Sequence, residues 1–236
     1  MIDFHNHMIP LVDDGAKGFE SSIKMAEISI EQGVAIVVAT PHYIPGAVTP
    51  TKHEIEDRLN TLRNMLKNKG LNLDLVYGHE VRFCNEIEQL LEDGLIATIN
   101  NTRYLLVEFR RKLTNDDVIH ELFVKGYRPI IAHAERCENI VQNPNLILDF
   151  IDSGALIQIT AGSILGHFGR AAKKAAKALL KMDVVHFAGS DAHNYEGKRT
   201  PHLSEAYKKI LKLVGKQKAE ELFLGNAQKV LSDLDI

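Results

Sequence analysis

The sequence predicts an α/β fold: one (β/α) barrel with about seven parallel strands. Three observations carry that expectation. Apolar runs of strand length alternate with segments of helical period, most of the runs are continuous rather than alternating, and no linker-like or low-complexity stretch divides them. Continuous runs rich in Val, Ile and Leu suit parallel strands covered by helices. A doubly wound open sheet shares this element order and is the structural alternative.

Taken in order, the first strand is MIDF (1–4), followed by the helical pattern ESSIKMAEISIEQG. VAIVVAT (34–40) is the second strand. In the segment after it, TKHEIEDRLNTLRNMLKNKG, Ile55, Leu59, Leu62 and Leu66 recur at helical spacing and Gly70 supplies the stop. LDLVYG (73–78), YLLVEF (104–109), PIIAH (129–133), ALIQIT (155–160) and VVHFAG (184–189) complete the strands. Between them lie NEIEQLLEDG, TNDDVIHELFVKG, NPNLILDFIDSG and the Ala-rich SILGHFGRAAKKAAKALLKM, each read as helix. Gly33, Gly94, Gly126 and Gly154 fall where C-terminal caps belong. Two or three helices follow the last strand.

Composition narrows the function classes. With 236 residues and 45% hydrophobic content, the chain can bury a large core as one domain over 1–236. A net charge of −3 gives no reason to expect nucleic acid or an anionic membrane as partner. No run approaches the ~18–20 apolar residues of a transmembrane helix, and Asp3 and His5 interrupt any signal-like opening. Cys84 and Cys137 form no CxxC, so a reduced, cytoplasmic compartment fits best. Neither G-x-G-x-x-G nor G-x-x-x-x-G-K-[ST] occurs, which leaves nucleotide binding by either motif unsupported.

Acidic and imidazole side chains gather at the C-terminal ends of the strands. The first strand delivers His5 and His7, on one side of an extended chain, and its loop delivers Asp14, with Asp13 as an uncertain neighbour. Then come His42 after Pro41, Glu80 in YGHE, Glu108 inside an apolar run, His133, and the pair Asp191 and His193 in SDAH. Each has a plainer explanation alone: Glu108 could be a buried carboxylate paired with an Arg, and His42 a loop histidine. Together they load six of seven strands on the face where barrel active sites lie. Nine N/O donors without a thiolate suit manganese, iron or zinc, and nine are too many for one ion.

The motifs MIDFHNHMIPLVDDGAK, VVATPHY, GHEVR, YLLVEF, IIAHAERCENI, ITAGSILGHFG and GSDAHN resemble those of the PHP (polymerase and histidinol phosphatase) superfamily. More closely, the chain resembles the bacterial PHP-type protein-tyrosine phosphatases of capsule and exopolysaccharide operons, the CpsB/CapC/YwqE group. The likeness runs from Met1 to about Asn194. It implies a distorted (β/α)7 barrel around three divalent ions, usually manganese. One ion would take His5, His7, Glu80 and Asp191; a second Glu80, Glu108 and His133; the third Asp14, His42 and His193. It also implies hydrolysis of phosphotyrosine by a metal-bound hydroxide, on a protein such as the tail of a bacterial tyrosine kinase. Arg136 would clamp the phosphate, with a second basic group at Lys198 or Arg199; a surface ion pair of Arg136 with Glu135 or Glu138 is the alternative.

Thiol chemistry is excluded on spacing, because a C-x5-R loop would need Arg six positions after Cys. Those positions hold Leu90 and Asn143. Among the other histidines, His53, His120, His167, His186 and His202 read as surface or structural, with His79 the exception most worth testing. Two other functions compete: a small-molecule phosphatase of the histidinol-phosphate type, and a metal-binding regulatory module without turnover. No ligand position of the motif set is missing, and no polymerase is attached, which disfavours the module.

Overall fold

A computed structural model describes residues 1–114 and 116–236. Among the described residues all seven expected strands form, but two of them are interrupted, giving nine segments: β1 (Ile2–Asn6), β2 (Ile36–Ala39), β3 (His42–Tyr43), β4 (Asp74–Tyr77), β5 (Glu80–Arg82), β6 (Tyr104–Glu108), β7 (Arg128–Ile131), β8 (Leu156–Thr160) and β9 (Phe187–Gly189). Every ladder is parallel, in the orders β1-β2-β4 and β3-β5-β6-β7-β8-β9. Ala39 faces Tyr77 and His42 faces Glu80 at the same offset, so β2/β3 and β4/β5 are one broken strand pair. Pro41, which has no N–H to donate, sits at the first break. At the second, His79 donates its N–H to the Ala97 carbonyl (3.0 Å) instead of to a strand. Among the described residues no ladder joins β4 to β6, so the sheet is parted on that side of the barrel.

The sheet closes between β9 and β1. The His7 N–H donates to the Ala192 carbonyl (2.9 Å) and the Asp191 N–H to the His5 carbonyl (2.8 Å). Beneath this seam, buried Asp3 accepts from the Ser190 N–H, the Ser190 hydroxyl and the Asn6 amide at 2.6–2.9 Å. The barrel interior is apolar at its lower end: Ile2, Phe4, Val38, Tyr104, Leu106, Ile130, Leu156 and Phe187 pack together, with Phe4 and Phe187 stacked at 4.2 Å. Tyr104, Leu106 and Glu108 share one side of β6 by the two-residue period. Glu108 therefore continues an inward-facing series and puts its carboxylate above the apolar layer.

The helix Lys52–Asn68 buries Ile55, Leu59, Leu62 and Leu66, as its spacing requires. Thr51 caps it with Glu54 in a reciprocal capping box. Gly154 ends its helix at φ 96°, with the Phe123 ring so close that a Cβ would meet it at 2.4 Å. The Ala-rich segment expected as one helix is two, Ala161–Leu165 and Gly169–Lys181, because Gly166 turns left-handed at φ 95°. No helix among the described residues is long and apolar enough to cross a membrane.

Candidate metal centre

Glu80, at the start of β5, is fully buried, and three imidazoles crowd one of its oxygens. His42 Nδ1 lies 2.9 Å from Glu80 Oε2, His7 Nε2 3.2 Å and His5 Nε2 3.3 Å, yet Oε2 makes no hydrogen bond. His5 Nε2 and His7 Nε2 also face each other at 3.1 Å. The other Glu80 oxygen meets His133 Nε2 at 2.9 Å, and His133 Nε2 lies 3.7 Å from Glu108 Oε1. Asp191 Oδ1 stands 3.6 Å from His5 Nε2 and 3.5 Å from His7 Nε2. Asp14 joins from the loop, 3.3 Å from His193 Nε2 and 3.6 Å from His42 Nε2.

All nine sequence-derived ligand candidates thus stand in one cluster at the C-terminal ends of the strands. Within it, donor atoms lie within 4.8 Å of one another in three groups: His5, His7 and Glu80; His42, Glu80 and Glu108; and His7, Asp14, His42 and His193. Buried donor atoms that converge without hydrogen-bond geometry, Glu80 Oε2, His42 Nδ1 and His193 Nε2 among them, suit divalent cations. The donor set fits manganese, iron or zinc chemically.

Two ligand candidates owe their aim to unusual backbone. His133 has φ 35° and Asp191 φ 52°, both left-handed. Non-glycine residues in that region cost roughly 1–3 kcal/mol, a strain characteristic of functional sites. Supporting residues fix the rings. Asp13 accepts from His7 Nδ1 (2.7 Å), from the His42 N–H (2.9 Å) and from the Gly15 N–H (2.9 Å). Asp13 is thereby the brace and Asp14 the member of the cluster. Gly15 has no room for a side chain, since a Cβ would lie 2.2 Å from the His7 carbonyl oxygen. Gln158 Oε1 accepts from the His133 N–H (2.7 Å) and lies 3.5 Å from His5 Nδ1. This Gln, the one polar side chain in the middle of LIQIT, is a site residue that sequence reasoning missed although its signal was visible.

Burial and neighbouring charges pull against each other throughout the cluster. Burial alone would lower the His7 pKa, but Asp13 and Glu80 outweigh it and raise it to about 10. Burial alone would raise Asp191, but His5, Arg136, Arg199 and His193 hold it well below the usual carboxylate range. Glu80 is likewise held low against its burial, by His5, His133 and His42. Burial and the charge of His7 push His193 down to about 4.

Two guanidiniums flank the cluster. Arg136 Nη1 donates to Asp191 Oδ2 (2.5 Å) and Arg199 Nη2 to Asp191 Oδ1 (3.0 Å). The Arg136 guanidinium lies over the Phe168 ring at 4.5 Å. Gly162 makes room for that ring, because a Cβ there would meet it at 2.7 Å. In the segment ITAGSILGHFG, Gly162 and Phe168 thus form the floor under the Arg136 guanidinium. Lys198 is exposed and forms no ion pair among the described residues; only its carbonyl is engaged, 3.1 Å from His167 Nδ1. Arg82, overlooked in the sequence, donates to Glu108 Oε2 (2.7 Å). His79 is not an exception to the structural reading of the remaining histidines. It is buried between the Pro50 carbonyl (3.2 Å) and the Ala97 N–H (2.8 Å), and burial lowers its pKa to about 4.

Comparison with known proteins assigns the family. Residues 1–232 match the family model "Capsular polysaccharide synthesis, CpsB/CapC". The chain is 35% identical over 209 residues to the tyrosine-protein phosphatase YwqE of Bacillus subtilis, covering 87% of this chain and 82% of that protein. It is 32% identical over 241 residues to the tyrosine-protein phosphatase CpsB of Streptococcus agalactiae serotype III, covering 99% of each. A crystal structure from work on YwqE and CpsB of Streptococcus pneumoniae, described as unique metal-dependent tyrosine phosphatases, superposes with TM-score 0.94 at 33% identity, over 100% of this chain and 96% of that one. Organophosphorus hydrolase, at 12% identity and TM-score 0.63 over 98% of this chain and 92% of that one, shares the barrel fold alone. The chain belongs to the CpsB/CapC family.

Proposed function

We propose that this chain is a metal-dependent protein-tyrosine phosphatase, carried by one domain over residues 1–236. The observation that carries the reading is Asp191, whose carboxylate faces the imidazoles of His5 and His7 while accepting from Arg136 and Arg199. It joins an N/O donor cluster to two phosphate-matching guanidiniums. Three divalent ions are proposed, manganese first, with iron or zinc sharing the donor preference. His5, His7, Glu80 and Asp191 would hold one, Glu80, Glu108 and His133 a second, and Asp14, His42 and His193 the third. Bound there, such ions would supply Lewis acidity toward a phosphate oxygen and a water activated at neutral pH.

The protein's own groups do the rest. Arg136 and Arg199 are each part-exposed and present forked donors that match phosphate oxygens and do not lose charge. Phe168 holds the Arg136 plane, so little of its freedom is left to lose on binding. Asp13 holds the His7 ring, and Gln158 accepts from the main-chain N–H of His133 and so fixes the backbone from which that imidazole projects. Neither cysteine suits a nucleophile: burial pushes the Cys137 thiol up to about 12 and raises Cys84. The kinship with YwqE and CpsB supports a phosphotyrosine protein as substrate. The tail of a bacterial tyrosine kinase that governs capsule or exopolysaccharide synthesis, met in the cytoplasm, is the partner proposed. The test is turnover of a phosphotyrosine peptide against histidinol phosphate, with added manganese and with chelator. Manganese-dependent peptide turnover supports the reading; histidinol phosphate as the better substrate overturns it.

A further inference from the structure

Directly after Glu108, the chain reads Phe109, Arg110, Arg111, Lys112. Because they follow the C-terminal end of β6, the three cations stand on the same face as the donor cluster. All three are exposed, and none forms an ion pair among the described residues. A chain with net charge −3 has carboxylates enough to pair them. Instead, three adjacent like charges stand together and repel one another.

Their loop is held firmly. The Phe109 ring below it is buried, stacked on Phe83 at 4.4 Å and edge-on to Phe150 at 5.9 Å. The Glu138 N–H donates to the Arg111 carbonyl (2.7 Å). Asn139 accepts from the Leu113 N–H (3.1 Å) and donates to its carbonyl (3.0 Å). Glu138 and Asn139 open the short helix that follows Arg136. The main chain that carries the three cations is therefore tied, at the Arg111 carbonyl and at Leu113, to the segment directly after Arg136.

We propose that Arg110, Arg111 and Lys112 form a cationic lip that selects phosphotyrosine segments bearing a second anionic side chain near the scissile residue. This rests on the phosphatase reading above. With the phosphotyrosine seated at the cluster, its main chain must lie across the mouth. An extended chain advances about 3.3 Å per residue, so neighbours within a few positions pass over the rim. Guanidinium and ammonium groups there meet carboxylate or phosphate oxygens, and exposure makes these contacts modest and salt-sensitive. Tethering to the Arg136 segment favours a substrate peptide over a membrane as the anionic partner.

The test compares kcat/KM at low ionic strength on three peptides of one length. One has neutral flanks, one has glutamates beside the phosphotyrosine, and one has a second phosphotyrosine; a small aryl phosphate serves as the flank-free control. The wild type should prefer a charged peptide by about 5- to 10-fold, fading toward none at about 0.5 M salt. Whichever charged peptide gains identifies carboxylate or phosphate as the group recognised. Arg110→Ala/Arg111→Ala/Lys112→Ala should erase the preference and leave aryl phosphate turnover unchanged, and the triple change to Glu should invert it. Equal kcat/KM on all three peptides, or a preference that survives both variants, overturns the lip. So does loss of binding to phosphatidylglycerol vesicles with peptide preference intact, which would assign the lip to a membrane. If no peptide is turned over at all, the phosphatase reading falls and takes the lip with it.

Discussion

Asp191 is where the two kinds of chemistry in the site meet, since the same carboxylate faces two imidazoles and accepts from two guanidiniums. Hydrogen bonds from a charged donor contribute on the order of 1.5–3 kcal/mol, and if they tighten as the phosphoryl group transfers they lower the barrier. Arg136→Ala should cut kcat/KM on a phosphotyrosine peptide by at least roughly 10-fold, at about 1.4 kcal/mol per decade. Arg136→Lys should recover only part, because an ammonium lacks the planar fork. Of the two candidates in the last loop, Arg199→Ala should resemble Arg136→Ala, whereas exposed Lys198→Ala should stay near wild type. Metal content measured alongside separates a lost clamp from a lost ion; wild-type kinetics for Arg136→Ala would move the clamp elsewhere. Cys84→Ser/Cys137→Ala should keep its turnover per folded, metal-loaded molecule, and a folded, loaded but inactive double variant would contradict the metal-dependent reading.

At the scale of elements, the helix Lys52–Asn68 shows what a pattern can carry. Its four buried residues and its stop were legible because helical period and glycine chemistry are local. Its capping box is local too, and Thr51→Ala should lower stability by about 1 kcal/mol in urea titration while leaving activity unchanged. The ligand candidates were legible for a related reason: a strand's end can be read, and a polar residue there stands out. What could not be read depends on contacts between distant segments. The left-handed turns at His133 and Asp191 carry no local signal, and the Arg82–Glu108 pair joins residues 26 apart. The break between β4 and β5 is of this kind, since the His79 N–H turns to the Ala97 carbonyl 18 residues on, whereas Pro41 marks the break between β2 and β3 locally. His186, just before β9, makes a testable element of another kind. Its Nδ1 accepts from the Ile157 N–H (3.0 Å), and burial, helped by Lys218 and Arg128, lowers its pKa to about 4. As pH falls from about 6.5 toward 4, the unfolded chain takes up a proton that folded His186 refuses, so stability drops through that window. Urea midpoints at pH 7 and pH 5 should differ less in His186→Asn, which keeps an acceptor, than in the wild type; an identical difference would acquit His186.

For the whole molecule, the cluster draws the upper ends of the barrel strands to one point above a buried apolar layer. His5 comes from β1, His42 from β3, Glu80 from β5, Glu108 from β6, and His133 and Asp191 from just beyond β7 and β9. In the unfolded chain these groups are scattered over nearly 190 positions, so cations should bind the folded state far better. A ligand of that kind stabilises by about 2.7 kcal/mol per site at 100 times its Kd. For a chain of 236 residues, each kcal/mol shifts Tm by about 2–4 °C, so stripping one tightly held ion should lower Tm by roughly 5–10 °C. Manganese added back after chelation should restore both Tm and turnover. The increment should not be spread evenly over the nine candidates. Glu80 belongs to two of the three donor groups, whereas Asp14 belongs to one and is largely exposed. Glu80→Gln should therefore abolish most of the metal-dependent rise in Tm, and Asp14→Asn only part of it. Comparing each variant with and without manganese cancels the cost of the substitution itself. A Tm that ignores both chelator and manganese would show that no ion ties the strand ends together, and the metal-dependent mechanism would fall with it.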